Sequence, residues 1–232
     1  MAQAQPSRDN RMEAQARLFI SSKNYSSWSL RGWLIARMSG LPFTLESIHP
    51  EDAMARAELL NLTSSVRIPY LVHGEIEVWD VLAIAEYLNE ICPDAHMYPQ
   101  EVALRARART VSAEMHSGFA SLRAALPVNL HAAPRKVPVW SGVRADIERI
   151  SEIWTECLTK SGGPFLFGKK ISVADAMFAP VCTRYETYQI DLSPPCEAYK
   201  AHILALPDMR SWLADAQDEM DEVSELELDV EF

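Results

Sequence analysis

Near residue 101 the hydrophobic pattern changes kind, and that change restricts the fold more than any other feature of the chain. Before it, strand-like and helix-like segments alternate. RLFIS (17–21) reads as a strand, and Leu30, Trp33, Leu34 and Met38 fall at helical spacing until Gly40 and Pro42 interrupt them. FTLESI (43–48) reads as a second strand and EDAMARAELLNL as a short helix. Pro69 opens the apolar run YLV, which His73 and Gly74 turn into EIEVW, a predicted hairpin. In VLAIAEYLNEIC, Leu82, Ala85, Leu88 and Ile91 share one helical face that Pro93 ends. The predicted order is therefore β-α-β-α-β-β-α.

After residue 101 only helical spacing recurs. Met115, Phe119, Leu122 and Leu126 form the stripe of one predicted helix, and Ile147, Ile150, Trp154 and Cys157 that of a second. A third begins at ISVADAMF, where Ser172 and Asp175 make the S-x-x-D form of a capping box, with Ile171 and Ala176 as its candidate staple. The fold class expected is an α/β N-terminal domain followed by an all-α domain, joined through PDAHMYPQE, with predicted extents 17–94 and 101–222.

The chain has 232 residues, 48% of them hydrophobic, which is enough to build a sizeable core. Its 22 basic and 32 acidic residues give a net charge of −10, with no general attraction to phosphate backbones or anionic lipid. Neither nucleic acid nor a membrane is an expected partner. The N-terminal stretch MAQAQPSRDNRMEAQAR lacks the apolar run of a signal peptide, and no later stretch approaches the length of a membrane span, so a cytoplasmic location is expected. Cys92, Cys157, Cys182 and Cys196 are scattered without a CxxC pair, which suggests buried structural thiols and no metal site. Arg105, Arg107 and Arg109 form a basic cluster that reads either as a solvated helix face or as a partner for acidic groups on a second subunit or an anionic ligand. The acidic end, DEMDEVSELELDVEF, reads as a solvated helix end and tail.

Three short stretches carry candidate chemistry. In NYSSWSLR (24–31), Ser26 and Ser27 lie where a strand passes into a helix. A helix N-terminus presents free amides and the positive end of its dipole, and a serine hydroxyl there can donate to a thiolate and lower its pKa. Helix capping by one of these serines, or by Ser29, is the competing reading. In VRIPYL (66–71), a cis Pro69 opening a strand would leave the backbone of Ile68 turned outward toward a peptide-like ligand. In EVWDVLAIAEYL, Asp80 can cap the following helix while the amide of Val81 holds a carboxylate.

In this order and spacing the three stretches resemble the cytosolic glutathione S-transferase superfamily, whose architecture is a thioredoxin-like domain followed by an all-helical one. The resemblance runs from about Arg17 to about Asp218, and ISVAD is similar to the capping box of that family's core C-terminal helix. SSWSLR resembles the SSCSWR loop of zeta-class enzymes, and NYSSWSLR taken with EMHSGFASLRAALPVNL (114–130) resembles a bacterial serine-type group. The resemblance implies a glutathione S-transferase with glutathione as co-substrate, Ser26 activating its sulfur for attack on a small electrophile or for glutathione-dependent isomerisation, and Ser27 and Trp28 lining the same loop. It also implies that Arg67, Ile68 and Pro69 meet the cysteinyl part, and that Asp80 and Val81 meet the γ-glutamyl end. Met115, His116 and Phe119 become candidates for the pocket of a small electrophilic substrate, Met115 and Phe119 equally reading as core. A homodimer, a role in detoxification and no metal are implied as well.

Two departures bear on that reading. The family usually has serine after the acidic residue, and this chain has Val81, so a hydroxyl that would bind the γ-glutamyl carboxylate is missing. A lost hydrogen bond to a charged group weakens binding by roughly 1.5–3 kcal/mol, about ten- to a hundredfold. The first loop also contains no cysteine, so glutathione must bring the reactive sulfur. The alternative function is a non-catalytic, transferase-like scaffold that binds apolar ligands or another protein while its glutathione site has weakened.

Overall fold

The computed structural model of the protein describes residues 15–48 and 67–219. The helix predicted over EDAMARAELLNL and the acidic end beyond Glu219 lie outside the described residues. Among the described residues four strands form one sheet: β1 (Ala16–Ile20), β2 (Phe43–Ser47), β3 (Tyr70–His73) and β4 (Ile76–Trp79), in the order β2-β1-β3-β4. β1 pairs in parallel with β2, Leu18 opposite Leu45, and antiparallel with β3, Leu18 opposite Leu71. Helices α1 (Ser27–Ser39) and α2 (Val81–Ile91) pack against each other beside it. This is a thioredoxin-like arrangement followed, among the described residues, by the helices α3 (Val102–Ser117), α4 (Ala120–Ala125), α5 (Ser141–Ser161), α6 (Val173–Thr187), α7 (Pro194–Leu204) and α8 (Pro207–Gln217).

Local chemistry explains several of these boundaries. Gly40 ends α1 in the left-handed region (φ 73°), and its N–H donates to the Arg37 carbonyl. At the start of α6, Asp175 accepts from the Ser172 amide and hydroxyl, both at 2.8 Å, completing the predicted capping box. Pro194 and Pro207 open α7 and α8, where a missing N–H costs nothing. The predicted hairpin forms with its turn one residue later than expected. Gly74 (φ 61°) and Glu75 make the turn, and His73 stays in β3, buried, with Nδ1 2.8 Å from the Tyr87 hydroxyl of α2.

One predicted helix is two. Met115, Phe119, Leu122 and Leu126 are all buried as their spacing implies, yet the backbone breaks between α3 and α4. Gly118 leaves the helix in an extended conformation and Phe119 turns left-handed (φ 64°). A Cβ on Gly118 would meet the Glu114 carbonyl oxygen at 2.8 Å. The orphan carbonyls at the end of α3 are taken by one side chain: Arg123, from α4, donates to the carbonyls of Met115, His116 and Gly118.

The larger of two hydrophobic clusters runs through both parts of the molecule, from Leu18 and Ile35 to Trp154, Phe178 and Trp212, and a small second one gathers Phe19 and Tyr70. The buried Arg31 of α1 reinforces the junction by donating from Nε to the Met177 carbonyl of α6, 2.9 Å away. Among the described residues no helix is long and apolar enough to cross a membrane.

Candidate functional site

The β1–α1 loop separates the roles of its two adjacent hydroxyls. Ser26 is the N-cap of α1, and its Oγ accepts the Ser29 amide at 3.2 Å. Ser26 is also partly open to solvent, so capping uses a lone pair on oxygen and leaves the hydroxyl hydrogen for a donor role. Ser27 is fully buried, and its Oγ accepts from Arg31 Nη1 at 3.2 Å. Ser29, also buried, exchanges with Ser21, whose amide donates to its Oγ at 3.0 Å. Of the three serines, only Ser26 pairs an exposed face with the first turn of the helix.

The other predicted stretches converge on the same end of α1. The Ile68–Pro69 peptide is cis, with Pro69 buried and Ile68 half-buried. Pro69 sits on the backbone of Gly32, one turn below Trp28: a Cβ added to Gly32 would lie 2.6 Å from both Cβ and Cγ of the proline. Arg67 is exposed beside it. Asp80, with positive φ (72°), caps α2 through Oδ1, which accepts the Leu82 amide at 2.8 Å. Val81 begins that helix with its side chain in the core, so only its backbone can face the site.

His116 joins the helical part to this cluster. Its Nε2 lies 2.6 Å from Oδ2 of Asp80, and its ring lies 5.0 Å from that of Trp28. Partial burial pushes the Asp80 carboxyl up, but His116 and the Leu82 amide outweigh it and hold the group below its ordinary value. Trp28 is flanked by two buried guanidiniums, Arg31 at 4.5 Å and Arg123 at 5.0 Å from the ring centroid. The site therefore carries a helix N-terminus and two fixed positive charges around an aromatic face, an environment that stabilises an anion. The stretches 24–31 and 114–130 touch here, and Leu130 also donates its amide to Asn24 Oδ1 at 2.6 Å.

Met115 and Phe119 are buried and belong to the hydrophobic core, the other of their two expected roles. The basic cluster is absorbed within the chain: Arg107 pairs with Glu156, Arg109 with Glu86, and Arg105 donates to the carbonyls of Pro99 and Gln100. All four cysteines are buried free thiols. Burial pushes Cys157 up to about 11 and raises Cys92 and Cys182 also. Among the described residues no cluster of His, Cys, Asp and Glu is arranged to hold a metal. Arg31 and Arg123 are the site residues that sequence reasoning missed. Arg31 lies four positions after Ser27, a spacing that brings two helical side chains together, whereas no local pattern marks Arg123.

Comparison with known proteins bears on the fold and the family. The glutathione S-transferase N-terminal domain model matches residues 25–91, and the glutathione S-transferase C-terminal domain model matches residues 129–215. The chain is similar to the maleylacetoacetate isomerase of Rattus norvegicus, 29% identical over 185 residues, covering 76% of this chain and 81% of the relative. Among solved structures, a glutathione transferase homolog from Burkholderia gl BGR1 with bound glutathione superposes with a TM-score of 0.67 at 21% identity, covering 88% of this chain and 100% of that one. The maleylacetoacetate isomerase of Anaeromyxobacter dehalogenans, with dicarboxyethyl glutathione and citrate in its active site, gives 0.65 at 23% identity, covering 90% and 96%. Two domain models that together span most of the fold, matched in the order of the two structural units, show that the chain belongs to the glutathione S-transferase superfamily.

Proposed function

We propose that the protein binds glutathione, stabilises its thiolate through the Ser26 hydroxyl, and delivers that thiolate to a small electrophile. The observation that carries this reading is the free donor face of Ser26, with Ser27 withdrawn into the core and held by Arg31. A hydrogen bond donated to the charged sulfur lowers the thiol pKa, each unit being worth about 1.4 kcal/mol of differential stabilisation. The backbone of Ile68 pairs with the cysteinyl part, and the first amide of α2 receives the γ-glutamyl carboxylate next to Asp80. Attack at carbon with loss of a leaving group gives a conjugate. Reversible addition to an activated double bond, rotation and expulsion of the same thiolate gives an isomer, with glutathione recovered. The relatives named as maleylacetoacetate isomerases favour the second course.

The test is Ser26→Ala against wild type, with glutathione binding measured by calorimetry, thiolate by ultraviolet absorbance, and turnover on an aryl halide and on a cis-configured unsaturated diketone acid. Removing one donor to a developing or resident anion is expected to lower turnover about 10²–10³-fold while binding persists. Unchanged turnover on both substrates overturns the assignment. Val81, which cannot supply the hydroxyl usual in the family, favours a second reading as a ligand-binding scaffold. Absence of binding heat at millimolar glutathione selects that one.

A further inference from the structure

The loop that delivers Ser26 is held by a carboxylate from the far end of the described chain. Glu219, just beyond α8, accepts through Oε2 from the Ser22 hydroxyl at 2.8 Å and the Asn24 amide at 2.9 Å, and through Oε1 from the Lys23 amide at 3.0 Å. Two consecutive amides and a hydroxyl aimed at one carboxylate make a small anion cradle. The same segment is fixed at other points. Lys23 Nζ pairs with Asp215 of α8 at 2.7 Å, and Trp212 Nε1 donates to the Lys23 carbonyl at 3.0 Å. On the opposite side the buried Asn24 Oδ1 accepts the amides of Leu130 and His131 at 2.6 and 3.0 Å. Residues 130–131 are in turn fastened to α8, with Gln217 Nε2 donating to the Leu130 carbonyl at 2.9 Å and His131 Nε2 donating to the Ala216 carbonyl at 2.6 Å. The turn then closes onto the candidate donor itself, since the Ser26 amide donates to the Ser22 carbonyl at 3.2 Å.

We propose that Glu219 is a positioning residue for Ser26, setting through the Ser22–Asn24 turn the direction in which the Ser26 hydroxyl meets the thiolate. The inference rests on the glutathione reading above. A charge-assisted hydrogen bond loses strength when its donor strays by a few tenths of an ångström or by 10–20°. Among the described residues the Ser26 hydroxyl is held by its capping bond to the Ser29 amide and by its own backbone, so the loop path decides where it points. The end of α8 thus acts on the thiolate through the loop without touching it.

The experiment uses the full chain with Glu219→Ala and Glu219→Gln, the latter keeping one acceptor oxygen for the cradle. Two readouts are taken: the pH profile of thiolate absorbance in the glutathione complex, and hydrogen exchange of the peptide covering residues 21–26 without glutathione. Glu219→Ala is expected to move the thiolate profile up by about one pH unit, which lowers kcat/KM about tenfold at pH values well below both midpoints. Its loop amides are expected to exchange at least about tenfold faster, with Glu219→Gln between Ala and wild type. An unchanged thiolate profile in Glu219→Ala overturns the positioning role, whatever the exchange shows. If wild type forms no thiolate, the glutathione reading fails separately, and unaltered loop exchange then also removes Glu219 as the loop's anchor.

Discussion

At Ser26 a cap and a donor share one side chain, and substitutions can pull the two apart. Alanine removes both, so Ser26→Ala is expected to cost about 1 kcal/mol of stability as well as turnover. Aspartate is as good a cap, but it places a like charge where the thiolate must rest. Ser26→Asp is therefore expected to keep the melting temperature and lose turnover at least as completely as alanine, as thermal melts and rates on one preparation will show. The Asp80–His116 pair adds a pH signature. Because the Asp80 carboxyl is held below its ordinary value, the stabilisation is complete above about pH 4 and disappears as pH falls through the lowered value. His116→Phe keeps a ring on Trp28 and releases Asp80. Its acid unfolding is expected to begin at higher pH than in wild type, with a difference below about 1 kcal/mol because the pair is half exposed.

Among the elements, α1 is constrained by what presses on it. Gly32 faces the ring of Pro69 at a distance no side chain can share, so Gly32→Ala must shift the proline and the neighbouring Ile68 backbone. A cost of about 1–3 kcal/mol is expected, with weaker glutathione binding by calorimetry, because the displaced backbone is the proposed cysteinyl contact. The α6 cap is constrained locally. Asp175 serves four donors, from Leu166, Ser172 twice and Tyr199, so its loss strands several buried groups where Ser172→Ala strands one. Denaturant midpoints are expected to fall by about 3 kcal/mol equivalent for Asp175→Ala and about 1 for Ser172→Ala. The α6 cap and the α3–α4 break show what a sequence makes readable. The capping box was legible because its partners are three residues apart. The α3–α4 break was not, because the apolar spacing continues across it while the interruption depends on Gly118, Phe119 and the returning guanidinium of Arg123.

For the molecule as a whole, the large apolar cluster that the sheet and the helices share predicts that the two parts unfold together. Far-ultraviolet dichroism and tryptophan fluorescence, which samples Trp33 beside the sheet as well as Trp154 and Trp212 among the helices, are expected to give coincident thermal midpoints. The four strands, α1 and α2 were legible in order because the periodicity and punctuation that mark each lie within one turn or one hairpin. The candidate site was legible only as three separate stretches. What brings them together, Gly32 on Pro69, His116 on Asp80 and Glu219 under the Ser22–Asn24 turn, is contact between residues far apart in sequence, for which spacing carries no signal.

The burial of Cys92, Cys157, Cys182 and Cys196 has a practical consequence for studying such chemistry. With its own sulfur atoms shielded, the native chain is expected to be nearly silent toward iodoacetamide and maleimides. A bound thiolate can then be trapped or timed with an alkylating reagent against an almost blank background. A single cysteine introduced on the exposed face of α5 would likewise accept a spectroscopic label without removing any native one.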